Sequence, residues 1–86
     1  MSSLTESAVL ERLGAAFDGA ALDRPPGLGR QLVLEEIDGL DSVSRVRLMM
    51  SVEDAFGIEI TPKENSGMET IGDLVDLVLA KSGRSG

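Results

Sequence analysis

Ser42, in the run Gly39-Leu40-Asp41-Ser42-Val43, is the residue of this sequence best placed to take part in chemistry. It follows an acidic loop and opens an amphipathic helix, where serine is a preferred N-cap whose hydroxyl satisfies a free backbone N–H. The same geometry suits a second role. A phosphate esterified to Ser42 would lie at the positive end of the helix dipole, beside unpaired N–H groups. Nothing in the sequence activates the hydroxyl: there is no histidine, and Asp41 alone is a poor base for a serine nucleophile. Ser42 therefore reads as the acceptor of a group, and no residue is assigned a catalytic role.

Composition removes most other chemistries. With no cysteine there is no disulfide framework, thiol nucleophile or thiolate metal site. The absence of histidine removes the commonest general base and metal ligand. Phe17 and Phe56 are the only aromatic residues, too few for base stacking on single-stranded nucleic acid. A chain of 86 residues makes one small domain, which buries only about 60% of its unfolded surface. The expectation is a single domain over 1–86 with its ordered core at about 4–81. An independent enzyme is the least favoured class.

Fifteen acidic residues against eight basic ones give a net charge of −7. The charge is concentrated in residues 31–79, where eleven acids face only Arg45, Arg47 and Lys63. Such a surface repels phosphate backbones, so nucleic acid is not an expected partner. It favours basic patches on proteins and also keeps a small domain soluble. Glu35, Glu36, Asp38 and Asp41 cluster in the loop but lack the alternating ligands and twelfth-position glutamate of a calcium loop, so no metal site is expected. No apolar run approaches the roughly 20 residues of a membrane span. The start, Met1-Ser-Ser-Leu-Thr-Glu, lacks a basic segment and an apolar segment, so a soluble, cytoplasmic protein is the expectation; separately, a monomer is expected.

Helical periodicity supplies the elements that must position Ser42. A first helix over 4–19 opens with Ser3 as N-cap and Glu6 in a capping box. It buries Val9, Leu10, Leu13, Ala16, Phe17 and Ala20 on one face. Residues 20–41 form a long connection broken by Pro25, Pro26, Gly27 and Gly29, whose Leu32, Val33, Leu34 and Ile37 are apolar enough to pack back on the core. A second helix over 42–56 carries Val43, Val46, Leu48, Met49, Met50, Val52 and Phe56, and Gly57 suits a left-handed end. Thr61-Pro62 starts a short turn over 62–68. Thr70, with Asp73, caps a last helix that buries Ile71, Leu74, Val75 and Val78. Gly83-Arg-Ser-Gly86 reads as a frayed end. The fold class is all-α: three main helices plus one short one, with a long loop between the first and second.

From Gly39 to about Ala80 the sequence resembles acyl carrier proteins and the related peptidyl carrier domains. The matching pieces are Asp41-Ser42-Val43, then Val46-x-Leu48-Met49-Met50-x-Val52-Glu53-Asp54-x-Phe56-Gly57, then Ile58-Glu59-Ile60-Thr61-Pro62, and finally Glu69-Thr70-Ile71-Gly72-Asp73-Leu74-Val75. The resemblance implies a four-helix bundle in which a phosphopantetheinyl transferase places 4′-phosphopantetheine on Ser42, with Asp41 in the transferase's recognition motif. It also implies a thioester-bound acyl cargo, delivered to the enzymes of a fatty-acid, polyketide or specialised lipid or secondary-metabolite pathway. Acyl-loading and acyl-processing enzymes would read the second helix, through Val43, Arg45, Val46, Arg47, Met50, Glu53 and Asp54. Alternatives are an aminoacyl or peptidyl carrier and a cofactor-free, carrier-like adaptor.

The sequence departs from the family pattern in two places. Ile37-Asp38-Gly39-Leu40 displaces the apolar residue that the family's loop has before its Asp-Ser pair. Early in the second helix, where fatty-acid carriers present acids, stand Ser44, Arg45 and Arg47. Arg45 is spaced to pair with Asp41 at i, i+4 and lies one turn from any phosphate on Ser42. Both arginines are either solvated surface or a re-coded docking face that favours a partner with acidic residues.

Overall fold

The computed structural model describes residues 5–82, in which four α-helices and a short 3₁₀ turn follow one another: α1 Glu6–Gly19, the 3₁₀ turn Leu34–Glu36, α2 Ser42–Phe56, α3 Pro62–Gly67 and α4 Ile71–Ser82. The anticipated cap Ser3, the opening tetrapeptide and the tail from Gly83 lie outside the described residues. Thr5 caps α1, its Oγ1 accepting the Ala8 amide at 3.1 Å, and the helix begins at Glu6.

The remaining helix ends follow the chemistry of their residues. Gly57 adopts φ 66° and ψ 36° and sends its N–H to Glu53 O, as a glycine past the end of α2 should. Thr61 and Glu64 form a reciprocal capping box over Pro62, the first residue of α3. Thr70 Oγ1 accepts the Asp73 amide at 3.1 Å, and Asp73 Oδ2 accepts the amides of Thr70 and Glu69 in return.

The closest helix packing is α1 against α2 and α1 against α4. Val9, Leu13 and Phe17 of α1, Leu48 and Val52 of α2, and Ile71, Leu74, Val75 and Val78 of α4 are completely buried. Leu34 and Ile37 join the same cluster, so the long connection does pack on the core. Main-chain bonds also hold it there. Leu34 N donates to Glu69 O at 2.8 Å, Ile71 N to Leu32 O at 2.8 Å and Gly72 N to Arg30 O at 3.0 Å, and Val33 and Thr70 form an isolated antiparallel bridge. Arg30 reaches Glu6 at 2.9 Å and Asp76 at 3.0 Å, linking the connection to α1 and α4. Exposed ion pairs of this kind contribute little, so the buried residues and the main-chain bonds carry the attachment.

The apolar residues of α2 divide between two faces. Leu48, Met49 and Val52 point into the core, while Val43, Val46 and Met50 are exposed to 69%, 50% and 59%. The helical spacing of residues 43, 46 and 50 puts them along one outward line. No helix among the described residues is long and apolar enough to cross a membrane.

Candidate functional site

The head of α2 assigns its cap to Asp41, where Ser42 had been expected. Asp41 is extended, with φ −81° and ψ −175°, and its Oδ1 accepts the Ser44 amide at 2.8 Å. Its carbonyl accepts the Arg45 amide at 2.8 Å, the first bond of the helix. Ser42 is thus the first helical residue. It is exposed, and among the described residues its hydroxyl has no hydrogen-bond partner. Asp41 and Ser42 are both strong N-cap formers, and one position of register decides which of them is used.

That register has a chemical consequence. The Ser44 amide bonded to Asp41 holds its carboxyl below the usual aspartate range, which weakens it further as a base. Ser42 is left as an accessible hydroxyl with no activating neighbour, suited to receiving a group from an external enzyme.

Arg45 departs from the expected pairing. Among the described residues it forms no ion pair with Asp41. Its Nε donates to Asn65 Oδ1 at 2.9 Å, and its Nη2 donates to Asn65 O and Met68 O, both at 2.6 Å. Five hydrogen donors on a rigid planar fork suit a guanidinium to such a set of acceptors, while Asp41 Oδ1 is taken by the Ser44 amide. Arg47 is exposed, as is Asp54 one side further along α2. Glu53 is half-buried and accepts the Ile60 amide at 2.7 Å.

Beside Ser42 runs a groove of about 420 Å³, bounded by Glu35 and Leu40 from the connection, Arg45 and Val46 from α2, and Asn65 and Ser66 from α3. Asn65 and Ser66 carry no sequence signal for such a position, since only the folded chain brings α3 to the head of α2. The site suits a phosphodiester-linked arm. The hydroxyl is exposed and without a partner among the described residues, the first amides of a 15-residue helix lie beside it, and the groove adjoins it.

A family profile described as "Phosphopantetheine attachment site" matches residues 34–78. The chain is similar to "Acyl carrier protein 2" of Ralstonia nicotianae, with 32% identity over 76 residues that cover 87% of this chain and 93% of that one. The chain belongs to the acyl carrier protein family. It is also similar to "Acyl carrier protein" of Prochlorococcus marinus, with 44% identity over 45 residues that cover 52% of this chain and 56% of that protein's length. The cofactor of this family member is 4′-phosphopantetheine. The profile begins at Leu34, a buried residue of the connection, and ends at Val78, buried in α4. The matched range therefore takes in the 3₁₀ turn Leu34–Glu36, α2, α3 and most of α4.

Proposed function

We propose that this carrier protein bears its phosphopantetheine arm on Ser42 and presents an acyl group on the arm's thiol to partner enzymes. The observation that carries the reading is the capping of α2 by Asp41, which leaves the Ser42 hydroxyl exposed and unshared. The cofactor supplies a thiol that a chain without cysteine lacks. Asp41 has two duties: it sets the helix start that exposes Ser42, and its carboxylate marks the position for the transferase.

Partner enzymes dock on the outward line of Val43, Val46 and Met50, with Arg47, Glu53 and Asp54 supplying the charged border. Exposed apolar side chains of this size along one helix face suit a contact surface. The basic Arg47 favours a partner with an acidic counter-residue, and hence a specialised pathway over bulk fatty-acid synthesis. Arg45 is committed to α3 and reaches this surface only through the position of that helix.

The test is the intact mass of the protein after incubation with coenzyme A and a broad-specificity phosphopantetheinyl transferase, with Ser42→Ala in parallel. The parent gains one phosphopantetheinyl group and the variant none. Gain of the group by Ser42→Ala would place the arm elsewhere, and no gain by either protein would favour a cofactor-free adaptor.

A further inference from the structure

α3 is held mainly by polar contacts made from outside it. It has six residues, none of them buried, and is far shorter than the roughly 12–15 residues at which an isolated helix becomes even marginal in water. Its apolar anchors, Ile60 and Met68, flank it on either side. Its first turn is closed by the Thr61–Glu64 capping box. Lys81 of α4 donates to Glu64 Oε1 at 2.8 Å and to Glu59 O at 2.5 Å.

At the carboxyl end of α3 the cation is Arg45. Its three hydrogen bonds go to the Asn65 side chain, to Asn65 O and to Met68 O, so a guanidinium satisfies carbonyls at the negative pole of the helix. The contact is partly buried, where charge-assisted bonds are less screened than at an open surface.

We infer that Arg45 is a positioning residue for the modification site: it clamps the carboxyl end of α3 to α2 one turn beyond Ser42, and so keeps Asn65 and Ser66 in place as one side of the groove that Ser42 shares. The clamp stands on the hydrogen bonds alone. Its effect on a bound arm rests on the reading of Ser42 as the attachment point.

Two variants break the clamp to different extents. Arg45→Met keeps a long, helix-favouring side chain without donors, and Arg45→Lys keeps the charge but loses the planar fork. Amide hydrogen exchange of the unmodified proteins reads local opening directly. In Arg45→Met, the amides of Asn65 and Met68 should exchange about tenfold faster or more, while those of α1 and the centre of α4 keep their protection. Arg45→Lys should fall between this variant and the parent. Lys63→Gln, which removes an exposed cation from α3 itself, should match the parent. Unchanged exchange at Asn65 and Met68, or equal acceleration throughout the protein, would overturn the clamp. If Arg45→Met fails to fold, Asn65→Ala, which removes one acceptor and leaves both carbonyls, decides by the same local pattern at a smaller size.

The groove is read by the amide resonances of the parent before and after arm attachment. Leu40, Val46, Asn65 and Ser66 should shift together, and in Arg45→Met the shifts of Asn65 and Ser66 should be lost. Arm attachment that leaves Asn65 and Ser66 unmoved in the parent would overturn this part while the carrier reading stands. Failure of the parent to take up the arm would be a failure of that reading, and the exchange data would still decide the clamp.

Discussion

Asp41 Oδ1 accepts the Ser44 amide at 2.8 Å, and the hydroxyl of Ser42, lying between those two residues in sequence, takes no part in the cap. The cap and the hydroxyl proposed to bear the arm therefore belong to adjacent side chains. Esterification of Ser42 would therefore leave the Asp41–Ser44 bond that starts the helix without a direct change of partner.

The two residues should therefore separate cleanly in mutation. Ser42→Ala should abolish arm attachment while changing stability by less than about 0.5 kcal/mol, as an exposed site without partners does. Asp41→Ala should lower the thermal midpoint, and Asp41→Asn should restore most of it because asparagine caps as well. Thermal unfolding alongside intact mass measures both. A large loss of stability in Ser42→Ala would show that the hydroxyl has a structural role after all.

Met49 and Met50 are neighbours with opposite surroundings, 5% and 59% exposed. Met49→Ala should destabilise by about 2–5 kcal/mol through the cavity it leaves. Met50→Ala should stay within about 0.5 kcal/mol of the parent and reduce kcat/KM with an acyl-loading partner instead. Urea unfolding together with a loading assay distinguishes the two.

The two arginines of α2 also part company. Arg47→Glu should alter charging by partner enzymes, improving it with general fatty-acid synthesis enzymes, and leave the fold unchanged. Arg45→Glu should act chiefly on α3, because its guanidinium is bound there. Loading rates and α3 amide exchange, measured on both variants, should move in opposite combinations.

Gly72 lies against the connection: a Cβ added there would come within 3.0 Å of Arg30 O and 3.3 Å of Arg30 Cβ. That carbonyl is bonded to the Gly72 amide and cannot move away without losing the bond. Gly72→Ala should thus cost on the order of 1–3 kcal/mol, despite the helix propensity it gains. At Gly67 an added Cβ meets nothing within 4 Å, so Gly67→Ala should be neutral or stabilising by up to about 1 kcal/mol. Denaturant midpoints of the two variants check the contrast.

Acid should weaken the fold through its helix caps. Backbone amides, Ser44 on Asp41 and Glu69 on Asp73, hold both carboxyls below their ordinary value of 3.8. Lys81, with the Thr61 amide, holds Glu64 below 4.5. A lowered folded value means that the contribution is complete above the ordinary value and is lost as pH falls through the folded one. The thermal midpoint of the parent should therefore drop as pH falls below about 4. Asp73→Asn, which cannot titrate, should start lower at pH 7 and converge on the parent at the acid end. Parallel curves would show that Asp73 does not contribute to the acid transition.

Much of this architecture was legible in the sequence because it is local. The faces of α1 and α4, the Gly57 stop, the Thr61-Pro62 start and the Thr70–Asp73 cap each follow from residues a few positions apart. The motif around Ser42 lies within the residues 34–78 that match the family profile. The choice between Asp41 and Ser42 as cap was not legible, because both residues suit the position and pattern does not fix register to one residue. The apolar stripe of α2 was too wide for one face, and periodicity alone could not assign Met49 inward and Met50 outward. Arg45 was read against its i, i+4 neighbour, but its partners lie 20 and 23 residues away. The main-chain bonds from Arg30, Leu32 and Leu34 to the start of α4 involve no particular side chain and leave no trace in composition.

Those main-chain bonds also bear on how the protein comes to fold. The ladder between residues 30–34 and 69–72 closes a loop that contains all of α2, Ser42 and α3. Closing a long loop costs chain entropy before any contact repays it, and contacts this distant in sequence slow folding. The pairing of residues 30–34 with residues 69–72 thus ties together the two stretches of chain that flank the α2–α3 region, so the surroundings of Ser42 depend on contacts made far from it in sequence.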